Sequence, residues 1–306
     1  MNRFLKNRGW LLCTIAASFS WAVWGVLTKF IAHDITPYSY QLLFTLGMLL
    51  SLPFVIRRCK TAEFNTKGFA LGIAISLFAI IGNISVYRSF TLGGQASVVL
   101  PLTNLSPVVT ILIALFLFKE KLYYLNGLGI LVVIPAIFIL SGQTQIFTAT
   151  GQFFSTLGLN AWLFYALLSL VLFGMFSASQ KITAGYLSAE WSFISFITAS
   201  VLVSLGFILF GLVDFKSPTQ TLVVGSMAGL FDGLGVLAVY AAYRVKGQAA
   251  QVSSIVTSIQ QVLTILLAIL FLKETITTIE FVGIAMAVAG AWLISLEKKE
   301  ITKPLA

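Results

Sequence analysis

Two stretches of this chain repeat each other almost letter for letter. Residues 110–120 read T-I-L-I-A-L-F-L-F-K-E, and residues 264–274 read T-I-L-L-A-I-L-F-L-K-E. Every difference exchanges one large apolar residue for another, and both copies close on a Lys-Glu pair. The match extends upstream to a Gly-Gln-Ala segment at 94–96 and at 247–249. Such self-similarity at a fixed distance indicates an internal duplication, so we expect a fold built from two similar halves.

The composition predicts that most of the molecular surface faces lipid. Of the 306 residues, 58% are hydrophobic and only 9% are charged, whereas a soluble domain has about 25% charged residues. The 26 Phe, nine Tyr and six Trp suit a bilayer protein with aromatic side chains at its interfaces. The net charge of +9 comes from Lys and Arg scattered between apolar runs. Because they form no basic stripe, we expect no nucleic-acid partner.

Ten stretches are long and apolar enough to cross a bilayer as helices, which takes about 20 residues each. We expect the first to be retained in the protein, since it is too long for the apolar core of a signal peptide. An uncharged segment, 142–158, is the predicted linker between a first five-helix repeat, 1–141, and a second, 159–306. The predicted spans are 9–32, 37–56, 69–90, 96–118, 123–141, 159–181, 191–211, 220–243, 248–272 and 278–296.

The basic residues predict how these spans are oriented. With the N-terminus in the cytoplasm, 15 of the 19 Lys and Arg lie on the inner side, and four remain outside. This bias predicts that both termini are cytoplasmic and suggests a bacterial-type inner membrane. Equivalent residues of the two halves lie about 153 positions apart, so each half has five spans. Because five is odd, the halves enter the membrane from opposite sides, and inverted repeats of this kind are typical of alternating-access carriers. The four outer residues are Lys29, Arg88, Lys216 and Lys273.

The chain resembles the drug/metabolite transporter superfamily, in particular its EamA-type carriers with ten spans. This resemblance implies secondary transport, most often export, of small metabolites, amino acids or drugs. It implies no cofactor and no enzymatic activity. One position departs from the pattern, because the fourth span of the first half has Pro107 where its repeat has Gln261. We therefore expect the repeat helix to kink less. The resemblance rests on 21–29, on Ser106-Pro107 through Lys119-Glu120, on Lys273-Glu274, and on Gly129 and Gly283.

Asp232 is the strongest single functional signal in the sequence. It falls near the middle of the eighth predicted span, where a carboxylate costs a few kcal/mol unless it is neutral, paired or in a wet cavity. Its counterpart in the first half is Ala79, so the duplicated scaffold does not require an acid there. We interpret Asp232 as a proton or cation site for which proton and substrate compete. The alternative is a structural pair with a polar neighbour such as Asn83.

Polar residues recur at helical spacing along the repeated fourth and ninth spans. Lipid offers these groups no hydrogen-bond partner, so they must face protein or water. We predict a substrate cavity lined by Asn104, Gln260 and Gln261, with hydrogen bonds between helices as the alternative. Pro101 and Pro107 each remove a backbone hydrogen bond and are expected to bend the fourth span.

Aromatic and charged residues extend this predicted cavity. Trp21 and Trp24 could hold an amine by cation–π contact or simply pack. The equivalent residues Tyr87 and Tyr240 are expected to cap the cavity, and Arg88 either meets an acidic substrate group or marks the outer interface. The predicted gating or helix-end residues are Lys29, Lys181, Glu120 and Glu274. For the lysines the alternative is snorkelling to lipid headgroups, and for the glutamates it is capping of a neighbouring helix.

The remaining signals narrow the function. With one His and two Cys, we expect no metal site, no disulfide framework and no catalytic residues. We therefore predict a secondary transporter in the lipid bilayer, a monomer or homodimer, that exports a small organic metabolite in exchange for protons. The cavity residues slightly favour cationic or zwitterionic amines such as polyamines or amino acids. A passive facilitator of neutral metabolites or nucleobase-like compounds is the alternative.

Overall fold

The computed structural model describes residues 2–60, 64–109, 113, 124–140, 161–183, 185–244 and 249–294. Within these ranges the regular secondary structure is entirely helical, which confirms the all-helical part of the predicted fold class. Five helices, α1, α4, α7, α8 and α9, are long and apolar enough to cross a membrane. The helices are α1 (Asn2–Phe30), α2 (Pro37–Leu49), α3 (Leu52–Ile56), α4 (Thr66–Thr91), α5 (Ala96–Thr103), α6 (Tyr124–Leu140), α7 (Ala161–Thr183), α8 (Ala189–Leu209), α9 (Thr219–Arg244), α10 (Ala249–Leu272) and α11 (Thr278–Ile294).

The second predicted span is divided into two helices. Thr36 begins α2 by accepting a hydrogen bond from the Ser39 amide at 3.1 Å, and Pro37 fits the first turn because its missing amide hydrogen would be unpaired there. The helix ends at Leu49, and α3 begins at Leu52. Pro53 has no amide hydrogen to donate to the Leu49 carbonyl, which explains why one continuous helix does not form.

The fourth predicted span is broken, whereas its repeat is continuous. A turn at residues 104–106 follows α5, and helix resumes at Pro107. Proline disfavours helical geometry in the residue before it, here Ser106, so the break lies where the sequence places it. Its repeat, α10, runs uninterrupted over 24 residues. The expectation that Gln261, in the position of Pro107, allows a straighter helix agrees with this difference.

Helices of the two halves pack against each other in exchanged pairs. Gly82 on α4 lies against the Phe173 ring of α7, and Gly235 on α9 lies against the Trp21 indole of α1. Gly235 follows Gly82 by 153 residues, and Phe173 follows Trp21 by 152. The second contact is therefore the first contact with the halves exchanged.

A second pair of contacts repeats this relation nearer one end of the same helices. Gly72 on α4 lies against Ser195 of α8, while Gly225 on α9 lies against Leu43 of α2. The two glycines are again 153 residues apart, and Ser195 and Leu43 are 152 apart. Two independent contacts thus obey the same exchange.

Small residues let α2 and α9 approach closely. A Cβ atom added at Gly47 would overlap the backbone of Ser226, and one added at Gly229 would overlap the backbone of Phe44. Such close approach is typical of helix packing in lipid. Apolar side chains point outward elsewhere, for example Leu209 with 85% of its surface exposed. An exposed apolar surface of this kind suits a lipid environment.

One end of the helix bundle is called the Lys29 end here, because Lys29 lies there at the last turn of α1. Arg88, in the last turn of α4, borders a cavity with Asp214 and Ser217 of the α8–α9 connection. Lys216 belongs to that same connection. Three of the four basic residues expected on the outer side therefore lie at one end of the molecule.

Candidate functional site

Asp232 is buried in the middle of α9, with 6% of its surface exposed. The Trp21 indole of α1 donates a side-chain hydrogen bond to its carboxylate. Gly235 makes this contact possible, because a Cβ atom there would lie 2.5 Å from the indole Nε1. The acid is thus held by a donor that reaches it across a glycine of its own helix.

Tyr40 on α2 connects two further α1 side chains. The Trp24 Nε1 donates to the Tyr40 hydroxyl at 3.1 Å, and the Thr28 hydroxyl lies 3.0 Å from the same oxygen. Tyr40 is fully buried. Trp21, Trp24 and Thr28 recur at helical spacing, so one face of α1 supplies three side chains to this site.

A second tyrosine extends the site toward the Lys29 end. The Tyr87 ring stacks on the Tyr40 ring, with centroids 4.4 Å apart and planes inclined by 15°. The Tyr87 hydroxyl is directed at the backbone carbonyls of Ile31 and Ile35, at 3.1 and 2.7 Å. It therefore anchors the α1–α2 connection directly above the aromatic pair.

The other two members of the predicted cavity on α4 and α9 occupy different surroundings. Asn83 is buried one turn before Tyr87 on α4. The partner of Asp232 is Trp21, and the structural pair with Asn83 stays a prediction. Tyr240 is half-buried on α9 and packs at the edge of the hydrophobic core.

A group of amide side chains lies where α5 and α10 meet. The Gln261 Nε2 donates to the Pro101 carbonyl at 3.5 Å, and Gln260 beside it is also buried. Three buried polar atoms here have no hydrogen-bond partner among the described residues, namely Gln261 Oε1, Thr264 Oγ1 and Asn104 Nδ2. Buried polar groups normally have partners, so these atoms are the places where a ligand or water would bind. Since α1 packs against both α9 and α10, the amide group and Asp232 border the same helix.

Glu274 joins the two halves at the Lys29 end. One carboxylate oxygen accepts from the Ala96 amide at 2.8 Å, and the other accepts from the Ser97 amide and hydroxyl at 2.9 and 2.6 Å. A carboxylate is favourable at a helix N-terminus, here that of α5. Lys29 donates to the Gly94 carbonyl at 2.7 Å and attracts Glu274 electrostatically. We call these contacts of Glu274 and Lys29 the end clamp.

An unusual backbone conformation directs Glu274 into the end clamp. Lys273, directly after α10, has a φ of 55° and is the only non-glycine residue with positive φ among the described residues. The Glu274 amide donates back to the Ala268 carbonyl at 3.4 Å, six positions earlier, so the chain folds back over the end of α10. The Lys-Glu pair of the duplicated segment is thus a helix end that turns its glutamate toward the other half.

Two predicted gating residues cannot be placed in the same detail. Glu120 lies outside the described residues, and so does the side chain of Lys181, although α7 includes its backbone. The described residues contain no group of three or more His, Cys, Asp or Glu side chains positioned to hold a metal ion.

Sequence reasoning missed Tyr40, which lies at the centre of the site. It is one aromatic residue in an apolar span, and its partners lie 12, 16 and 47 residues away. The duplication contained a usable signal, because the equivalent position in the second half is Ser192. A residue that differs in chemistry between two copies of one scaffold is a candidate for function.

Comparison with known proteins identifies the family. The EamA-like transporter family matches the chain twice, over residues 8–142 and 160–296. The chain belongs to this family. The resemblance seen in the repeated segments is confirmed, and the protein is a membrane transporter, which is not a class of enzyme.

Individual relatives agree with this assignment. An uncharacterized transporter of Clostridium kluyveri is 23% identical over 297 residues, which are 93% of this chain and 92% of that protein. An uncharacterized protein of Methanocaldococcus jannaschii is 26% identical over 95 residues, covering 31% of this chain and 69% of that protein. A solved crystal structure shares the fold with a TM-score of 0.64 at 17% identity, covering 94% of this chain and 97% of the other.

Proposed function

We propose that this EamA-family transporter is a secondary active exporter that exchanges a small organic amine for protons at Asp232. The preferred substrates are cationic or zwitterionic amines such as polyamines or amino acids. The observation that carries the proposal is the buried Asp232 carboxylate, held by the Trp21 indole in the middle of a membrane-spanning helix. Such a group is costly in a membrane, so its presence needs a functional reason.

The chemistry of the site supports competition between proton and amine. A carboxylate can bind a proton or an ammonium group but not both at once, so each ligand must leave before the other binds. Trp21 lies beside the acid, and Trp24 and Tyr40 form the neighbouring hydrogen bond; aromatic side chains of this kind attract ammonium groups when desolvated. Proton uptake from one side and amine release to that side would then be coupled through the same carboxylate.

The proposed transport cycle needs two inverted five-helix repeats with ten spans. The exchanged contacts support this arrangement, since Gly82 with Phe173 and Gly235 with Trp21 are equivalent pairs with the halves interchanged. The relative from Methanocaldococcus jannaschii also supports it, because 95 residues are 69% of its length, which makes it less than half as long as this chain. Two related halves that swap conformations expose a central site alternately to each side.

The end clamp supplies a closed gate for one state of this cycle. Glu274 of the second half caps α5 of the first half, and Lys29 lies beside it. Opening the Lys29 end would break these contacts. By the duplication, Glu120 and Lys181 would close the opposite end in the other state. We further propose that both termini are cytoplasmic, that the membrane is a cell inner membrane, and that the protein works as a monomer or homodimer.

Proton movement in liposomes tests the proposal. Purified protein would be reconstituted with a pH-sensitive dye inside, and polyamines and amino acids would be added one at a time. We expect at least one amine to drive proton movement with the natural protein and not with Asp232→Asn, because the amide side chain cannot take up a proton. Uptake of the same radiolabelled amine would be measured in parallel.

A matched control separates loss of charge from loss of coupling. Glu280 lies in the first turn of α11, where its side chain accepts from the Thr277 amide at 2.8 Å, outside the proposed site. Glu280→Gln removes one carboxylate, as Asp232→Asn does, and should leave proton movement unchanged. Full coupling in Asp232→Asn, with normal folding, would show that the proton site lies elsewhere.

The amide group favours a second function, passive transport of a neutral metabolite or nucleobase-like compound. Gln261 Oε1 and Asn104 Nδ2 offer one acceptor and one donor without partners among the described residues, which suits a neutral ring with donors and acceptors. Counterflow decides between the two. A nucleobase that exchanges in both the natural protein and Asp232→Asn, without moving protons in either, would favour the facilitator.

A further inference from the structure

A cavity of about 420 Å³ opens at the Lys29 end, away from the buried site. It is formed by the α1–α2 connection and the end of α4 from the first half, and by the α8–α9 connection from the second. Its volume is in the range of cavities that hold small molecules. We call it the vestibule. Its charged side chains are Asp34, Arg88 and Asp214, and His33 lies beside them.

The vestibule carries both signs of charge without neutralising them internally. Asp34 accepts from the Thr221 hydroxyl at 3.1 Å through one oxygen, and Asp214 accepts from the Lys216 amide at 2.8 Å through one oxygen. Each therefore retains a carboxylate oxygen for another partner. Among the described residues, Arg88 has no carboxylate within salt-bridge distance. The vestibule is thus bordered by the Arg88 guanidinium and by the carboxylates of Asp34 and Asp214, and each of these groups can still bind a ligand.

The vestibule is connected to the Asp232 site by the two stacked tyrosines. Ile35 lines the vestibule, and its carbonyl accepts from Tyr87 at 2.7 Å. Tyr87 in turn stacks on Tyr40, whose hydroxyl accepts a hydrogen bond from Trp24, on the same face of α1 as Trp21. The vestibule is therefore linked through side-chain contacts to the face of α1 that borders Asp232.

We propose that the vestibule is an external binding site for a small zwitterion, whose carboxylate binds Arg88 and whose ammonium binds Asp34 and Asp214. A simple cation would leave Arg88 without a partner, and a simple anion would leave the two aspartates without one, whereas a ligand with both charges satisfies all three. Arginine also binds carboxylates through two parallel hydrogen bonds. Because one Arg faces two Asp, a second ammonium group is tolerated. The idea rests on the proposed function only in treating this ligand as the transported amine.

Protection of a cysteine from labelling tests the site directly. Cys13 and Cys59 would be replaced by serine, and Ser217, which lines the vestibule, by cysteine. The rate of labelling by a small methanethiosulfonate would be measured in nanodiscs with and without a mixture of the L-amino acids other than cysteine, whose free thiol would consume the reagent. We expect the mixture to slow labelling by about threefold or more, because only the unoccupied fraction reacts. Putrescine alone and acetate alone, each with one sign of charge, should protect far less.

Charge variants assign the protection to the proposed residues. Arg88→Gln, Asp34→Asn and Asp214→Asn should each abolish it. Lys216→Gln removes an equal positive charge from the same connection, outside the vestibule lining, and should keep it. The proposal is overturned if no amino acid slows labelling while Arg88, Asp34 and Asp214 are unchanged. It is also overturned if Arg88→Gln and Lys216→Gln change the protection equally.

Two further arms separate this site from its neighbours. An ethanolamine phospholipid carries the same pair of charges, so nanodiscs with and without this lipid would be compared. If the lipid alone slows labelling, the site binds a zwitterion, and that zwitterion is a lipid headgroup rather than a free amino acid. Protection should also survive in Asp232→Asn. If protection survives in Asp232→Asn but the natural protein moves no protons, the exchanger proposal is overturned and the vestibule proposal stands. If the natural protein exchanges amines for protons but no amino acid protects the cysteine, only the vestibule proposal is overturned.

Discussion

The crossing of α1 with α9 and the crossing of α7 with α4 are equivalent contacts of the two halves, yet only the first contains a buried acid. At the first, Trp21 lies on Gly235 and bonds Asp232. At the second, Phe173 lies on Gly82, and the position equivalent to the acid is Ala79. The glycine and the aromatic ring are shared, so they serve helix packing. The acid and the indole N–H are not shared, so they are the part that packing does not explain.

The difference continues along the neighbouring helices. The hydrogen-bonded side chains Trp24 and Tyr40 correspond to Phe176 and Ser192 in the second half. The Phe176 ring packs on Phe196 at 5.9 Å, in the manner of an ordinary apolar core. One copy of the duplicated scaffold therefore packs aromatic rings where the other has hydrogen-bonded side chains.

The largest loss of stability is expected from placing an acid at the crossing of α7 with α4. Ala79→Asp buries a carboxylate opposite Phe173, which has no donor, and should destabilise the protein by about 3 kcal/mol. Adding Phe173→Trp supplies an indole N–H and should restore about 1.5 kcal/mol of this loss. Thermal unfolding of the purified variants, followed by size-exclusion chromatography, measures both. Equal stability of the single and double variants would mean that the Trp21–Asp232 hydrogen bond is not transferable between the halves.

The closer approach of α2 and α9 provides the next contrast. Gly229 lies against the Phe44 backbone, whereas the equivalent position on α4 is Ser76, which bonds the Gly72 carbonyl at 2.6 Å. Gly229→Ser should cost about 2–3 kcal/mol through overpacking. As a matched control, Gly206 has no neighbouring atom within 4 Å of an added Cβ, so Gly206→Ser should unfold at nearly the natural temperature. Similar losses at both glycines would contradict the packing argument.

Replacing each α1 indole by phenyl makes the first half resemble the second. Trp21→Phe removes a hydrogen bond to a carboxylate and should cost about 2 kcal/mol, whereas Trp24→Phe removes one to a neutral hydroxyl and should cost about 1 kcal/mol. Proton movement should fall in Trp21→Phe more than in Trp24→Phe, since only Trp21 contacts Asp232. The reverse order in unfolding temperature and in coupling would show that the acid does not depend on its indole donor.

The sequence predicted the helices well because apolar length and proline position decide them locally. The break after α5 follows from Pro101 and Pro107, both visible in the sequence. The break between α2 and α3 was missed, since residues 49–52 are mostly apolar and only Ser51 and Pro53 mark it. Local patterns therefore give the elements but leave some of their interruptions unresolved.

The site was predicted only in part because its contacts join distant segments. Asp232 was singled out by its depth in a span, and Trp21 as an aromatic residue that could hold an amine by cation–π contact. Tyr40 and the vestibule residues Asp34 and Asp214 were missed, because nothing in their local sequence indicates that α2, α4 and the α8–α9 connection meet. The repeat offset offered the missing information for Tyr40, by showing a serine in the other copy.

The smallest expected effect concerns the Lys-Glu pair that ends both duplicated helices. Lys273 adopts a left-handed conformation with a φ of 55°, which glycine adopts at less cost. Lys273→Gly should therefore stabilise the protein by about 0.5–1 kcal/mol while preserving the turn that delivers Glu274 to α5, and Lys273→Ala should not. Thermal unfolding measures the gain, with an equal effect of the two substitutions contradicting the strain. Lys119→Gly applies the same test to the other copy: a matching gain there would extend the equivalence of the halves to the helix end, whereas a loss would add a second point at which the duplicated scaffold has diverged.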